Sequence, residues 1–140
     1  MKDSFLENIK TKINKGEEIS PFLFLSDNLE ILDAEVNTLA SELLGSYGIW
    51  KEHLFCLKDN SESIKIKNMK VFLEKSHQKS SFKFQIFFIE NISRMTLKAA
   101  NASLKFLEEP WIWNIVFLTI EFIPSAPKRI WEFILCMCYM

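Results

Sequence analysis

Glycine is what this sequence most conspicuously lacks: three in 140 residues, where about 7% is usual. Turns that need a left-handed backbone, or a main chain lying close to a phosphate, have few places to form. Cysteine is scarce as well. Cys56, Cys136 and Cys138 make no CxxC pair and have no histidine cluster nearby, which excludes the common structural zinc spacings. His53 and His77 fall in separate segments, without an obvious serine or cysteine partner to form a nucleophile–base pair. An excess of one charge is also missing. With 17 basic and 18 acidic residues the net charge is −1, so no overall field draws the chain to nucleic acid or an anionic membrane. The opening MKDSFLENIKTKINK is too charged for a secretory core. The apolar tail Ile130–Met140 falls short of the roughly 20 residues that span a bilayer. An odd cysteine count without a signal peptide indicates reduced thiols in a cytoplasm, with no membrane partner.

What the chain does contain is bulk apolar character: 49% hydrophobic against 25% charged, enough for one globular domain over residues 1–140. Phe5, Ile9 and Ile13 recur every four residues, predicting an opening helix over about 1–16 that Gly16 ends. PFLFL after Pro21 predicts a strand. Val36, Leu39, Ala40, Leu43 and Leu44 form one helical stripe, closed by Gly45. His53–Leu57 reads as a second strand, and Ile66, Met69 and Leu73 as the face of another helix. Phe84–Ile89 and Asn114–Ile120 are unbroken apolar runs, as expected of strands covered on both faces. Between them Thr96 caps a helix with Ala100, Leu104 and Leu107 inward and Pro110 beyond its end. The tail supplies a last strand. Alternating strands and helices predict a three-layer α/β domain around a parallel, five-stranded sheet.

The chemistry is defined mostly by what its positions withhold. A phosphate-gripping turn after the first strand needs glycines, a lysine and a hydroxyl for magnesium. The stretch there is Ser26-Asp27-Asn28-Leu29-Glu30-Ile31-Leu32-Asp33, with no glycine, no lysine and three carboxylates that repel a triphosphate. At the end of the central apolar run, Glu90 could hold a magnesium ion, but its neighbour Asn91 is an amide and cannot orient water as a base. Capping or bridging of neighbouring loops is the plainer role for both. Lys65, Lys67, Lys70, Lys75, Lys79 and Lys83 make a basic stretch in which aromatics do not alternate with the lysines to stack bases, only Phe72 and Phe82 falling within it, so it reads as a solvated helix face.

The segment Ile89–Pro110, IENISRMTLKAANASLKFLEEP, resembles a helix-bearing segment of bacterial clamp-loader AAA+ subunits, most of all the delta-prime branch associated with DNA polymerase III. The match is dense at Met95-Thr96, Ala99-Ala100-Asn101-Ala102, Leu104-Lys105 and Leu107-Glu108-Glu109-Pro110. Weaker similarity covers about residues 18–135, including Ile64, Ile66 and Met69 with Phe72 or Leu73. This resemblance implies a RecA-like P-loop NTPase domain without the family's lid and collar domains. It implies a degenerate Walker A turn at Ser26–Asp33, a Walker B-like pair at Glu90 and Asn91, and a sensor-1-like position at Thr119. Arg129 is the candidate arginine acting in trans on a neighbour, although Lys128 and Ile130 replace the family's flanking serine and cysteine. The implied function is that of a non-hydrolysing subunit packing against ATPase subunits and the delta subunit, and touching sliding clamp and primed DNA indirectly. It would have no catalytic residue, metal or cofactor of its own, ATP being bound by a neighbour. An active ATPase of the same family, or a truncated or frameshifted fragment with no independent function, are the alternatives.

One compositional oddity has a direct test. Four tryptophans accompany three glycines, and Trp111 and Trp113 stand where the family has proline and small residues. If the source reads UGA as glycine, Trp50, Trp111, Trp113 and Trp131 are recoded glycines. Peptide masses of the native protein across residue 111 are then expected at the glycine value, and a tryptophan mass removes the idea.

Overall fold

The computed structural model describes residues 2–49, 51–58, 63–77, 84–108 and 114–121. Helix α1 (Lys2–Lys15) leads into strand β1 (Phe22–Ser26) and helix α2 (Leu29–Ser46). A short 3-10 turn, Lys51–His53, precedes β2 (Leu54–Leu57), followed by α3 (Ile66–Ser76) and β3 (Gln85–Ile89). A second 3-10 turn, Ile92–Arg94, leads to α4 (Leu97–Glu108) and β4 (Asn114–Glu121). All strand pairings are parallel, in the order β1-β4-β3-β2.

Full burial of β3 and β4 dictates the three layers. Every residue of Gln85–Ile89 is buried, as is every residue of β4 except Glu121. Side chains alternate across a strand, so both faces of these two strands must be covered. Ile86, Phe88, Ile115 and Phe117 point to α1 and α2, where Ile9, Val36, Leu39, Ala40, Leu43 and Leu44 meet them. Phe87, Ile89, Val116 and Leu118 point the other way, to Met69 and Phe72 of α3 and Ala99, Phe106 and Leu107 of α4. Each face is centred on a phenylalanine cluster. Phe5 stands edge-on to Phe22 at 4.9 Å on one, and Phe87 meets Phe55 at 5.0 Å and Phe72 at 5.1 Å on the other.

Polar residues fasten the amino end of the sheet. The Gln85 side-chain amide donates to Asn114 Oδ1 at 2.8 Å, and Asn114 Nδ2 donates to the Ser76 carbonyl at 2.8 Å. The end of α3 is thereby tied to the start of β3 and β4, with each buried amide given a partner. On the far side of α3, the backbone of Ile64 bonds Arg94 O at 2.7 Å and accepts from Thr96 N at 3.0 Å. Thr96 then caps α4, its hydroxyl accepting from Ala99 N at 3.2 Å.

Two expectations change and one is untested. The described sheet has four strands; the fifth was placed on Ile130–Met140, outside the described residues. Gly45 lies inside α2, and the left-handed residue that turns the chain is Gly48, at φ 67°. The buried face of α4 is Ala99, Ser103, Phe106 and Leu107, with Ala100 and Leu104 only half-buried. The small side chains of Ala99 and Ser103 let this helix turn one residue further and approach the sheet. The α2 stripe and the helix end at Gly16 (φ 69°) are as expected.

Removing the Phe87 ring in Phe87→Ala is expected to cost about 3–5 kcal/mol. Trimming Val71, which is 56% exposed, to Ala should change stability by less than about 0.5 kcal/mol. Urea denaturation of the two variants checks the contrast.

Candidate functional site

In an open parallel sheet, ligands bind beyond the carboxyl ends of the strands, where successive connections leave on opposite faces. Here α2 covers one face while α3 and α4 cover the other, so that point lies between β1 and its neighbour β4. The register sets Phe24 opposite Thr119 and Ser26 opposite Glu121. The turn from β1 into α2 therefore stands directly above the crevice.

That turn is only two residues long, Asp27 and Asn28, between Ser26 at the end of β1 and Leu29 at the start of α2. Its amides are engaged locally. Ser26 Oγ accepts from Asn28 N at 3.1 Å, and Asn28, the cap of α2, accepts from Ile31 N through Oδ1 at 3.2 Å. A polyphosphate cradle requires several backbone N–H groups converging on one point. In this two-residue turn the Asn28 and Ile31 N–H groups are taken up by local side chains and are not presented to a ligand.

The far end of the stretch closes the crevice. Thr119, wholly buried in β4, donates from its hydroxyl to Asp33 Oδ1 at 2.6 Å. Thr119 Oγ1 also accepts from Asn91 N at 3.0 Å. Asn91 adopts a left-handed backbone at φ 51°, which asparagine tolerates better than most residues, and so swings its N–H toward β4. Ser93 Oγ donates to Asn91 Oδ1. One hydroxyl thus joins α2, β4 and the end of β3. The positions named from the sequence at Asp33, Asn91 and Thr119 meet at a single hydrogen-bonded point.

The remaining candidates are distributed around it. Asp27, Asn28, Glu30 and Ile31 are exposed; Ser26, Leu29, Leu32 and Asp33 are half-buried. Half-buried Glu90 donates its backbone N–H to the Leu57 carbonyl at 3.0 Å, extending the strand edge toward β2. Arg129 lies outside the described residues, as do Trp50, Trp111, Trp113 and Trp131. His53 is half-buried beside β2, and His77 is exposed at the end of α3. Among the described residues no three His, Cys, Asp or Glu side chains gather to hold a metal, and no helix is long and apolar enough to cross a membrane. Lys65, Lys67, Lys70 and Lys75 are exposed along α3, with the Lys75 ammonium 5.2 Å from the Phe55 ring centre. Lys79 and Lys83 lie outside the described residues.

Sequence reasoning named Asp33, Asn91 and Thr119 separately but missed their convergence. The available signal was Thr119 itself, a lone hydroxyl inside an apolar run. It also missed the sensitivity of Cys56. Burial pushes this thiol above its ordinary pKa, Glu90 pushes it further, and Lys58 pulls weakly the other way.

Two outcomes are expected. Thr119→Val leaves the buried Asn91 N–H without its acceptor and Asp33 without this donor. It should cost about 1–3 kcal/mol, whereas Thr119→Ser should retain most of the stability in the same denaturation assay. Alkylation of Cys56 by iodoacetamide, followed on its own peptide, should show a pH midpoint above that of a simple thiol, and Glu90→Gln should move it down. Because the folded pKa is raised, the protonated thiol favours folding below the unfolded pKa. That contribution is lost as pH rises through the folded value.

Comparison with known proteins agrees with this architecture. The model of a family described as "DNA polymerase III, delta subunit" matches residues 48–123, more than half of the chain. Among solved structures, a DNA polymerase III gamma subunit-related protein from Thermotoga maritima superposes with a TM-score of 0.68 at 21% identity. The superposition covers 91% of this chain and 48% of that one, so the chain spans just under half the length of the protein it matches. At that identity the likeness is one of fold. No curated protein matches.

Proposed function

The chain belongs to the DNA polymerase III delta-subunit family, and on that premise we propose that it is a non-hydrolysing clamp-loader subunit of the delta-prime kind. It packs in the cytoplasm against ATPase subunits and the delta subunit, and helps a sliding clamp onto primed DNA without binding ATP itself. The observation that carries this is the turn between β1 and α2. Its shortness, the engagement of the Asn28 and Ile31 amides by Ser26 and Asn28, and the Asp33 carboxylate on Thr119 argue for a degenerate Walker A position without cradle or cation.

The Walker B-like pair supports the same reading. Asn91 offers an amide where a catalytic base would stand, and its backbone N–H is bonded to Thr119. The domain is then a rigid surface, and chemistry belongs to the neighbour. In this role Arg129 reaches the neighbour's γ-phosphate, where an arginine supplied in trans stabilises transition-state charge.

Reconstitution tests this. Mixed with the ATPase subunits from the same source, the chain should co-elute with them on gel filtration and raise their turnover. Arg129→Ala should still co-elute but lower that turnover by roughly 10³-fold. An unchanged rate would make Arg129 an ordinary surface arginine, and a failure to co-elute would remove the subunit role altogether.

A further inference from the structure

The two faces of the sheet carry opposite charge. Between Glu17 and Ile49 there is no lysine or arginine, whereas Asp27, Glu30, Asp33, Glu35 and Glu42 fall in this stretch. On the opposite layer α3 exposes Lys67, Lys70 and Lys75 against Glu74 alone. The acidic layer also contains an apolar groove of about 880 Å³ between α1, β1 and α2. Among the described residues Phe5, Phe24, Ile31, Leu32, Val36 and Leu39 line it, and Glu35 and Thr38 are the polar side chains on its wall. Ile31 at its edge is 56% exposed.

From this combination we propose that the groove docks an amphipathic helix of a partner protein, one whose apolar stripe is flanked by lysine or arginine. The length of the groove along α2, from Ile31 to Leu39, covers about two turns, which suits anchors spaced i, i+3 or i+4, and i+7. Charge decides the partner's sign. Glu35 on the wall and Glu30 beside Ile31 attract a basic flank and repel an acidic one, and they likewise repel nucleic acid or an anionic lipid surface. Among the α1 cations whose side chains are described, none cancels this field. Lys10 pairs with Glu7 at 3.9 Å, while Lys12 and Lys15 lie about 10 Å or more along the axis from Phe5. A small-molecule site would need several convergent polar groups, and among the described residues the groove wall has only Glu35 and Thr38. This inference does not depend on the clamp-loader role: a chain with no such role would present the same groove.

The test uses the full chain and two fluorescent probe peptides of roughly 14 residues, one built of Leu and Lys and the other of Leu and Glu in the same helical pattern. Anisotropy should show saturable binding of the Leu/Lys probe and none of the Leu/Glu probe. Ile31→Ser should weaken binding about fivefold through lost apolar contact. The pair Glu30→Lys with Glu35→Lys should weaken it about tenfold, while Glu108→Lys, on the opposite layer, should leave it unchanged. Equal binding of both probes, or equal loss from Glu108→Lys, would overturn the proposal as non-specific adhesion. Absence of binding together with a lowered unfolding midpoint for Ile31→Ser would also overturn it, because the groove would then already be filled by the chain itself. Absence of binding with an unchanged midpoint would show an unoccupied apolar surface and overturn it as well.

Discussion

A hydroxyl shared by two partners organises the carboxyl edge of this sheet. Thr119 gives its proton to Asp33 and takes one from the Asn91 backbone. It thereby closes the crevice between β1 and β4 where an open parallel sheet would ordinarily admit a ligand. Buried polar groups must find partners, and here they find one another. The two-residue turn above them follows from the same constraint: α2 must begin early enough for Asp33, five residues after Asn28, to reach Thr119.

Below that edge, packing alone accounts for the architecture. β3 and β4 are apolar on both sides, so helices are required on both, and the phenylalanine clusters around Phe117 and Phe87 fill the two interfaces. The Gln85–Asn114–Ser76 bonds hold the opposite end of the sheet. The site therefore sits on a frame fixed at both ends, which suits a surface presented to partners better than a loop that must close over substrate.

Much of this was legible in the residues. Unbroken apolar runs located β3 and β4 almost to the residue, and the α2 stripe is the stripe that is buried. Clamp-loader character was legible in the segment from Met95 to Pro110, a pattern that generic phosphate-binding domains lack. What escaped was orientation. The α4 face lay one residue away because the small side chains of Ala99 and Ser103 are the ones set against the sheet, a choice that apolar spacing alone does not reveal. Gly45 looked like a helix end because glycine often is one, but only Gly48 takes the left-handed backbone that ends this helix. The meeting of Asp33, Asn91 and Thr119 depends on strand order, which no local pattern encodes. Two polar residues at the starts of apolar runs, Gln85 and Asn114, were visible as letters but not as a pair.

The central claim is that this crevice is closed by the chain's own side chains and cannot seat a polyphosphate. Isothermal titration of the chain with ATP and magnesium tests it most directly. The account predicts no saturable heat up to millimolar nucleotide, in the wild type and in Asp33→Ala alike. Saturable binding by the wild type that Asn28→Ala or Asp33→Lys alters would contradict it, and would identify the domain as a nucleotide-binding subunit after all.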